Sequence, residues 1–484
     1  MGSATRFSLE RFGEVLEARV RSVMPDPFIF AIILTIAAIL IDIVLLRPFE
    51  YVGWRGTVEF LVYSAWYGGF WRLLTFSMQM TLILVTGYVI AYHPLVYRVL
   101  SRIASLPKDT KQAAALAAFV AIVLSYISWG LSLIGGAILA REIGRQAALR
   151  GIRIHYPVVV AAAYTGLGLT WHWGLTASAP LLMNTPGNFL ADTMRELYGR
   201  ETVPLSETIF NPYTIVNLII VSAAAIAIYW LIAPREGRLR GIEEFDPQAL
   251  RETGGSGRGG EARRPETLAD RLENSRTLAL IVVALGAIAI LIELSSQGIS
   301  RALNLNTMNF IFLMTGLLLY ANPIRYAKAF YESVRGAAGV ILQFHFYAGI
   351  FGLFNTVFEP VGKSSAQIIA EAIADLSNPL IWPVTAFIIA GFVNLFIPSG
   401  GGEWAAIGEI LVRAGFELGV PVGKTIIAYG FGDSWTNLLQ PFWAIPLLDI
   451  TRTRARDVFG YTIALMILIF PVAAVTLTLV PYIT

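Results

Sequence analysis

Apolar runs long enough to cross a bilayer recur along the chain, and short polar, glycine-rich interruptions break four apolar segments. Uninterrupted runs lie at 27–46, 72–93, 212–233, 277–295, 307–322, 337–358 and 458–483. Each approaches or exceeds the ~20 residues that span a hydrocarbon core as a helix. Two further spans, 157–190 and 424–447, are broken near their middle, and the segments 113–144 and 379–418 each fold about a break. The first-half breaks are Ser128-Trp129-Gly130-Leu131-Ser132 and the stretch from Trp171 to Ser178. The second-half breaks run from Pro398 to Trp404 and from Gly432 to Asn437. Unwound backbone survives in hydrocarbon only where protein or a water-filled cavity surrounds it. Interruptions paired between two halves point to the midplane site of a secondary transporter. The pattern predicts an all-α polytopic membrane protein with about nine transmembrane helices plus two opposed re-entrant hairpins.

The halves resemble each other. Gly87 and Pro94 stand seven apart, as do Gly316 and Pro323, and Ala163-Tyr164 precedes one break as Ala428-Tyr429 precedes another. From Pro94 to Ala163 is 69 residues, but from Pro323 to Ala428 is 105, so the second half carries one extra span, most simply 337–358. The reading divides the chain into a cytoplasmic amphipathic N-terminus (1–26), a first repeat (27–233), a flexible cytoplasmic linker (234–274) and a second repeat (275–484). The linker is read as flexible because its centre, Thr253-Gly-Gly-Ser-Gly-Arg-Gly-Gly260, has nothing to bury. Before the first span, Phe12, Val15, Leu16, Val20 and Val23 recur at helical spacing among arginines, as in a helix lying on a membrane surface.

Charge sets the orientation. With the N-terminus inside, 27 of the 36 Lys and Arg fall in cytoplasmic segments, as the positive-inside rule requires. The first hairpin then enters from the cytoplasm and the second from outside, and the C-terminus ends outside.

Composition narrows the chemistry. The chain is 56% hydrophobic and 14% charged, against ~25% charged for soluble domains. Without cysteine, thiol catalysis and thiolate metal sites are excluded. Four scattered histidines suggest no metal cluster, and neither cofactor nor nucleic acid is expected. An intramembrane enzyme is a minor alternative, for no H-E-x-x-H, G-x-S-x-G or Walker motif is present.

The breaks supply the candidate ligands. Half-helix N-termini attract a carboxylate, while unwound carbonyls and neutral side-chain oxygens suit a cation such as Na⁺, so the expected partners are a small carboxylate and a coupling cation. The candidate residues are Ser128, His172, Thr176, Ser178, Ser399, Gly400, Gly401, Asp433, Ser434, Thr436 and Asn437. A Na⁺ position is expected near Ser399, Asp433 and Ser434. Each residue has a plainer reading: Thr176 and Ser178 as small residues for close packing, Asp433 as a helix cap, His172 as a satisfied buried histidine. Glu403 reads as a first-turn helix charge rather than a ligand. Gln343 and His345 lie on the extra span, facing either the cavity or a neighbouring helix. Trp171, Trp173, Trp404 and Trp435 border the breaks and are expected to wall an apolar pocket.

Several stretches together resemble the short-chain fatty acid transporter family of the ion-transporter superfamily. They include Met24-Pro-Asp-Pro-Phe28, Leu84-Val-Thr-Gly87, His155-Tyr-Pro157, Trp171 to Pro180, Gln343 to Gly349, Asn394 to Trp404, and Gly432 to Trp443. The resemblance runs from about residue 7 to the C-terminus, sparing the linker. It implies a scaffold and a moving transport domain working by an elevator motion, usually in a homodimer, in a bacterial cytoplasmic (inner) membrane. The Ser-Asn-Thr tip motif of the dicarboxylate symporters is absent from both tips, so sodium coupling and dicarboxylate recognition do not carry over. His345 also stands where that family's Gln-Phe-x-Phe-Tyr motif is expected to have proline. The leading expectation is import of a monocarboxylate such as butyrate by Na⁺ or H⁺ symport. A cation/proton antiporter is the alternative.

Overall fold

The computed structural model describes residues 27–234, 239–251, 267–395 and 397–483. The expected amphipathic helix before residue 27 and the linker centre, 252–266, lie outside them. The described chain is helical, its single β-bridge joining Phe358 and Lys363. Six helical stretches among the described residues are long and apolar enough to cross a membrane: Leu74–Ala91, Thr110–Ile127, Pro212–Ile232, Leu268–Gln297, Pro323–Asn355 and Ala455–Leu479.

In the first half, α1 is Pro27–Leu46, α2 Leu74–Ala91 and α3 Pro94–Ala104. Next come α4 (Thr110–Ile127), α5 (Trp129–Leu149), α6 (Tyr156–Ala163), α7 (Ser178–Met183) and α8 (Pro212–Ile232). The second half begins with α9 (Arg276–Gln297), α10 (Leu305–Tyr320), α11 (Pro323–Val334), α12 (Ala338–Asn355) and α13 (Ser365–Asp375). It ends with α14 (Trp382–Asn394), α15 (Gly400–Glu417), α16 (Val422–Thr436), α17 (Pro441–Thr451) and α18 (Ala455–Leu479).

The order of elements repeats. The apolar helix α2 turns through His93 into the short amphipathic α3, and α10 turns through Asn322 into α11. Both short helices carry proline at the first turn, where no N–H is needed, and a capping side chain that accepts from the backbone: Leu95 N–H on His93 Nδ1 (3.2 Å), Arg325 N–H on Asn322 Oδ1 (3.0 Å). A helix pair joined by a tight turn, a broken helix and a final apolar helix follow in each half. The second half inserts α12 and α13, and α12 covers most of the 337–358 segment.

Two expectations need correction. The fourth break does not unwind at Gly432; α16 continues to Thr436, and the backbone leaves the helix only at 437–440 before Pro441 restarts it. Glycine in a closely packed helix is tolerated where neighbours press on it, and a Cβ on Gly432 would stand 2.1 Å from the Phe387 carbonyl oxygen. The linker is also not flexible throughout. Residues 239–251 pack on the helix ends, with Arg141 donating to Asp246 (Nε–Oδ2 2.9 Å), Arg240 pairing with Asp457 (2.8 Å) and Arg145 Nε donating to the Ala249 carbonyl (3.0 Å).

Contacts sort the loops into two sets. Near one end of the bundle, Tyr156 OH donates to Thr451 O (3.1 Å) and Tyr461 meets His155 (2.9 Å), beside the 239–251 strap. At the other, Asn184 donates to the carbonyls of Ser300, Arg301 and Leu303, Arg413 pairs with Glu196, and Arg200 with Glu207.

Burial follows a similar division. Helices α5, α6, α15 and α16 are enclosed along most of their length, whereas α9 buries only Ala279 and Gly286. Helix α2 is enclosed to a similar extent.

Candidate binding site at the helix-pair tips

A serine builds each tip. Ser128 has extended backbone (φ −158°, ψ 130°), ends α4 and caps α5, its Oγ accepting from Leu131 N–H (3.4 Å). Ser399 (φ −159°, ψ 102°) caps α15 in the same way, accepting from Gly402 N–H (3.3 Å). Each tip is then tied to the unwound stretch of its own half. Thr176 Oγ1 accepts from Trp129 N–H (3.1 Å), and Leu175 N–H donates to Tyr126 O (2.7 Å). In the second half, Gln440 Nε2 donates to the carbonyls of Asn394 and Leu395, and Trp443 Nε1 to Pro398 O (2.7 Å). Side chains thus satisfy the carbonyls and N–H groups that a broken helix leaves unpaired.

Between the tips lies a small, narrow cavity of about 30 Å³. Trp129, Leu167, Trp171, Ser178, Ser399, Gly400, Gly401, Asn437 and Trp443 line one side, and Met80 of α2 with Val340 and Phe344 of α12 the other. Its lining contains no ionisable side chain; the polar groups are two hydroxyls, an amide, tip backbone and indole N–H. The Trp129 ring centroid is 5.9 Å from Trp171 and 5.6 Å from Trp443. An apolar groove between α8 and α18, lined by Pro212, Val216, Val475 and Leu479, has no comparable polar set.

Behind the cavity sits a buried ionisable cluster. His172 stacks on Trp171, centroids 4.2 Å apart. Its Nε2 accepts from Ala179 N–H (3.1 Å) and its Nδ1 lies 2.8 Å from Asp433 Oδ2. Because Nε2 is the acceptor, a neutral ring carries its proton on Nδ1 and donates it to Asp433. Glu403, also 0% exposed, lies against the Asp433 carboxyl, and neither Glu403 oxygen receives a hydrogen bond from a protein donor. Asp433 Oδ1 and Ser434 Oγ have no hydrogen-bond partner either. Tyr429 OH closes the cluster by donating to Gly400 O (2.6 Å) at the tip.

The expected site residues therefore divide. Ser178, Ser399, Gly400, Gly401 and Asn437 line the cavity; His172, Asp433 and Ser434 belong to the cluster behind it; Ser128, Thr176 and Thr436 hold the frame. Thr436 Oγ1 accepts from Asn394 Nδ2 (2.9 Å), which also reaches Asp433 O (2.8 Å) and Asn437 Oδ1 (2.9 Å). Asn394, an amide at the end of an apolar helix, joins the site beyond the expected residues, and its polar side chain in that position is the sequence signal for it. Of the four tryptophans expected to wall a pocket, only Trp171 does. Trp173 and Trp435 donate to the carbonyls of Ile427 and Met466, and Trp404 packs on Tyr429, because each faces the helix behind the break. Trp129 and Trp443 take their place. His345 stacks beside Phe70 and Trp71 and does not line the cavity, whereas its neighbour Phe344 does. Glu403, read as a helix-end charge, is a member of the cluster.

Comparison with known proteins agrees with this architecture. A family model described as short chain fatty acid transporter matches residues 8–480. Proteins of Haemophilus influenzae and Escherichia coli K12, both named "Putative short-chain fatty acid transporter", are 32% and 33% identical over 465 and 458 residues. Those matches cover 96% and 94% of this chain and 98% and 96% of the relatives. The fold is similar to that in the crystal structure of the Alcanivorax borkumensis YdaH transporter, with a TM-score of 0.58 and 14% identity over 93% of this chain and 98% of that one. The chain is a multi-pass membrane protein and belongs to the short-chain fatty acid transporter family.

Proposed function

We propose that this protein imports a short-chain monocarboxylate together with a cation, and that the cavity between the tips is the carrier site. The observation that carries the reading is the position of that cavity, where both tips and both unwound stretches meet. Its largely apolar walls match an acyl chain in chemistry, each buried CH₂ contributing ~0.8 kcal/mol, and they must part to admit one, since the cavity is narrow in this conformation. The lining offers no fixed positive charge, which favours an accompanying cation over an arginine clamp.

The helix pairs α4–α5 and α14–α15 act as opposed re-entrant hairpins in an inverted repeat. With α6–α8 and α16–α18 they form a transport domain, which moves as an elevator against a scaffold of α1, α2, α9, α10 and α12 within a homodimer. The cavity supports this division, since Met80, Val340 and Phe344 come from the scaffold and the other lining residues from the transport domain. The N-terminus and linker face the cytoplasm, the C-terminus faces outside, and the protein resides in a bacterial inner membrane.

The coupling cation is Na⁺ or H⁺, and the Asp433 region is where it acts. One observation favours the antiporter as second reading: Glu403 beside Asp433 supplies the second embedded carboxyl that cation/proton exchange usually needs. Uptake of labelled butyrate into proteoliposomes, with Na⁺ and pH gradients imposed separately, tests both. Gradient-driven accumulation is expected. Cation-for-proton exchange without carboxylate uptake would replace the symport reading with the antiporter.

A further inference from the structure

We infer that the indole N–H groups of Trp129 and Trp171 are the donors that hold the substrate carboxylate. The inference rests on the monocarboxylate reading above and names the groups that recognise the charged end.

Trp129 and Trp171 are 6% and 5% exposed, both line the cavity, and neither Nε1 has an acceptor. A buried donor left unpaired costs roughly 1–3 kcal/mol, so natural proteins pair such groups. The third cavity tryptophan is already engaged, for Trp443 donates to Pro398 O. Two orphaned donors therefore remain on rings whose centroids are 5.9 Å apart. A single carboxylate, with two oxygens and hydrogen bonds of about 2.9 Å, can bridge groups so spaced. The Ser399 oxygen accepts in capping α15, and its O–H remains as a further donor beside the two indoles. Neutral donors of this kind also suit transport, because they hold the anion without the desolvation cost of a buried cationic side chain.

Each ring is fixed by its half of the chain. Trp129 follows the capping Ser128, and its backbone N–H is anchored on Thr176. Trp171 is stacked on His172, whose two nitrogens are engaged by Ala179 and Asp433. The cation-site cluster thus orients one of the two carboxylate donors, a direct physical link between the two ligands.

The test is butyrate binding to the purified full chain in nanodiscs, by calorimetry, for wild type, Trp129→Phe, Trp171→Phe and Trp404→Phe. Phenylalanine keeps an aromatic ring and removes the N–H. Trp404 is the packing control, equally buried with an equally orphaned Nε1 but outside the cavity lining. At least about a tenfold rise in Kd is expected for each of the first two and less than about threefold for the control. Unchanged Kd in both cavity variants, or an equal rise in the control, overturns the assignment. Should a variant not fold, ¹⁵N-indole spectra of the wild type decide: of eleven tryptophans, two N–H resonances should move downfield with butyrate, and none moving overturns it. Absence of binding of any two- to six-carbon monocarboxylate by folded wild type would instead sink the underlying reading.

Discussion

The two tips use one backbone device for different chemistry. In each, a serine with extended backbone caps the second helix of the pair, and the residues beside it are tied to the broken helix of the same half. The residue after that serine is Trp129 in the first tip and Gly400 in the second. The first tip therefore presents an aromatic wall, and the second presents bare backbone followed by the buried carboxyl of Glu403. Duplication supplies a frame twice, while divergence at a few positions makes one side apolar and the other charged. The halves meet where His172 of the first donates to Asp433 of the second.

That asymmetry breaks most severely at Gly400. A Cβ there would stand 2.7 Å from His172 Cε1 and 2.7 Å from the Trp171 ring. His172 cannot yield easily, being held at both nitrogens. Gly400→Ala should abolish butyrate uptake and destabilise the protein by about 1–3 kcal/mol. Gly130→Ala, near the first tip, meets its nearest neighbour, Leu84 O, at 3.2 Å and should be milder. Uptake together with thermal unfolding of both variants checks the ranking, and equal losses would erase the asymmetry.

The next largest effect is expected at the junction of the halves. Asp433→Asn preserves size and an acceptor for His172 Nδ1–H, so the fold should persist while gradient-driven uptake falls at least about tenfold, as expected for an intramembrane ionisable group with a function. Proteoliposome flux under separate Na⁺ and pH gradients distinguishes the roles. Loss of sodium stimulation marks Asp433 as a cation ligand; loss of the pH response with exchange retained marks it as a proton carrier. Unchanged coupling to both would leave it a structural partner of His172.

The frame was more legible in the sequence than the site. Helices such as α1, α8 and α12 announce themselves through length and apolarity, and the tips through serine and glycine where a helix cannot continue. Proline after glycine at 94 and 323 marked the repeat. What lines the cavity was harder, because four tryptophans near breaks look alike until the helix phase is known. Trp173 and Trp435 turn away by their phase, and Trp129 turns in. The Glu403–Asp433 contact joins residues thirty apart on different helices, and no local pattern encodes it. The ordered strap at 239–251 was hidden for a related reason: Asp246 and Arg240 are matched by Arg141 and Asp457, and its Ala249 carbonyl by Arg145, all distant in the chain.

That strap supports a pH prediction of intermediate size. His155, just before α6, is pushed down to about 4 by burial, with the Arg240 guanidinium adding to the shift and Asp457 opposing it. Its Nδ1 accepts from Arg240 N–H (3.3 Å), an interaction that protonation would turn into a repulsion. The folded value lies below the unfolded value of ~6.5, so protonation favours the unfolded state. The stabilisation is complete above about pH 6.5 and is lost as pH falls toward about 4. Thermal unfolding between pH 7 and 4.5 should show a drop of about 2 kcal/mol that His155→Gln largely removes. An identical drop in the variant would assign it to other groups.

The smallest expected effect returns to the serines. Losing an N-cap costs ~1 kcal/mol, and both serines cap with comparable geometry, so Ser128→Ala and Ser399→Ala should lower stability about equally. Transport should separate them. Ser399 lines the cavity and Ser128 does not, although Ser128 lies close to Gly87, whose added Cβ would stand 3.0 Å from its Oγ. Ser399→Ala should raise the KM for butyrate by a few-fold with the protein still folded, whereas Ser128→Ala should leave KM within about twofold. Equal shifts in KM would mean that the cavity is shared evenly by the two tips, and the division between aromatic wall and exposed backbone would have to be redrawn.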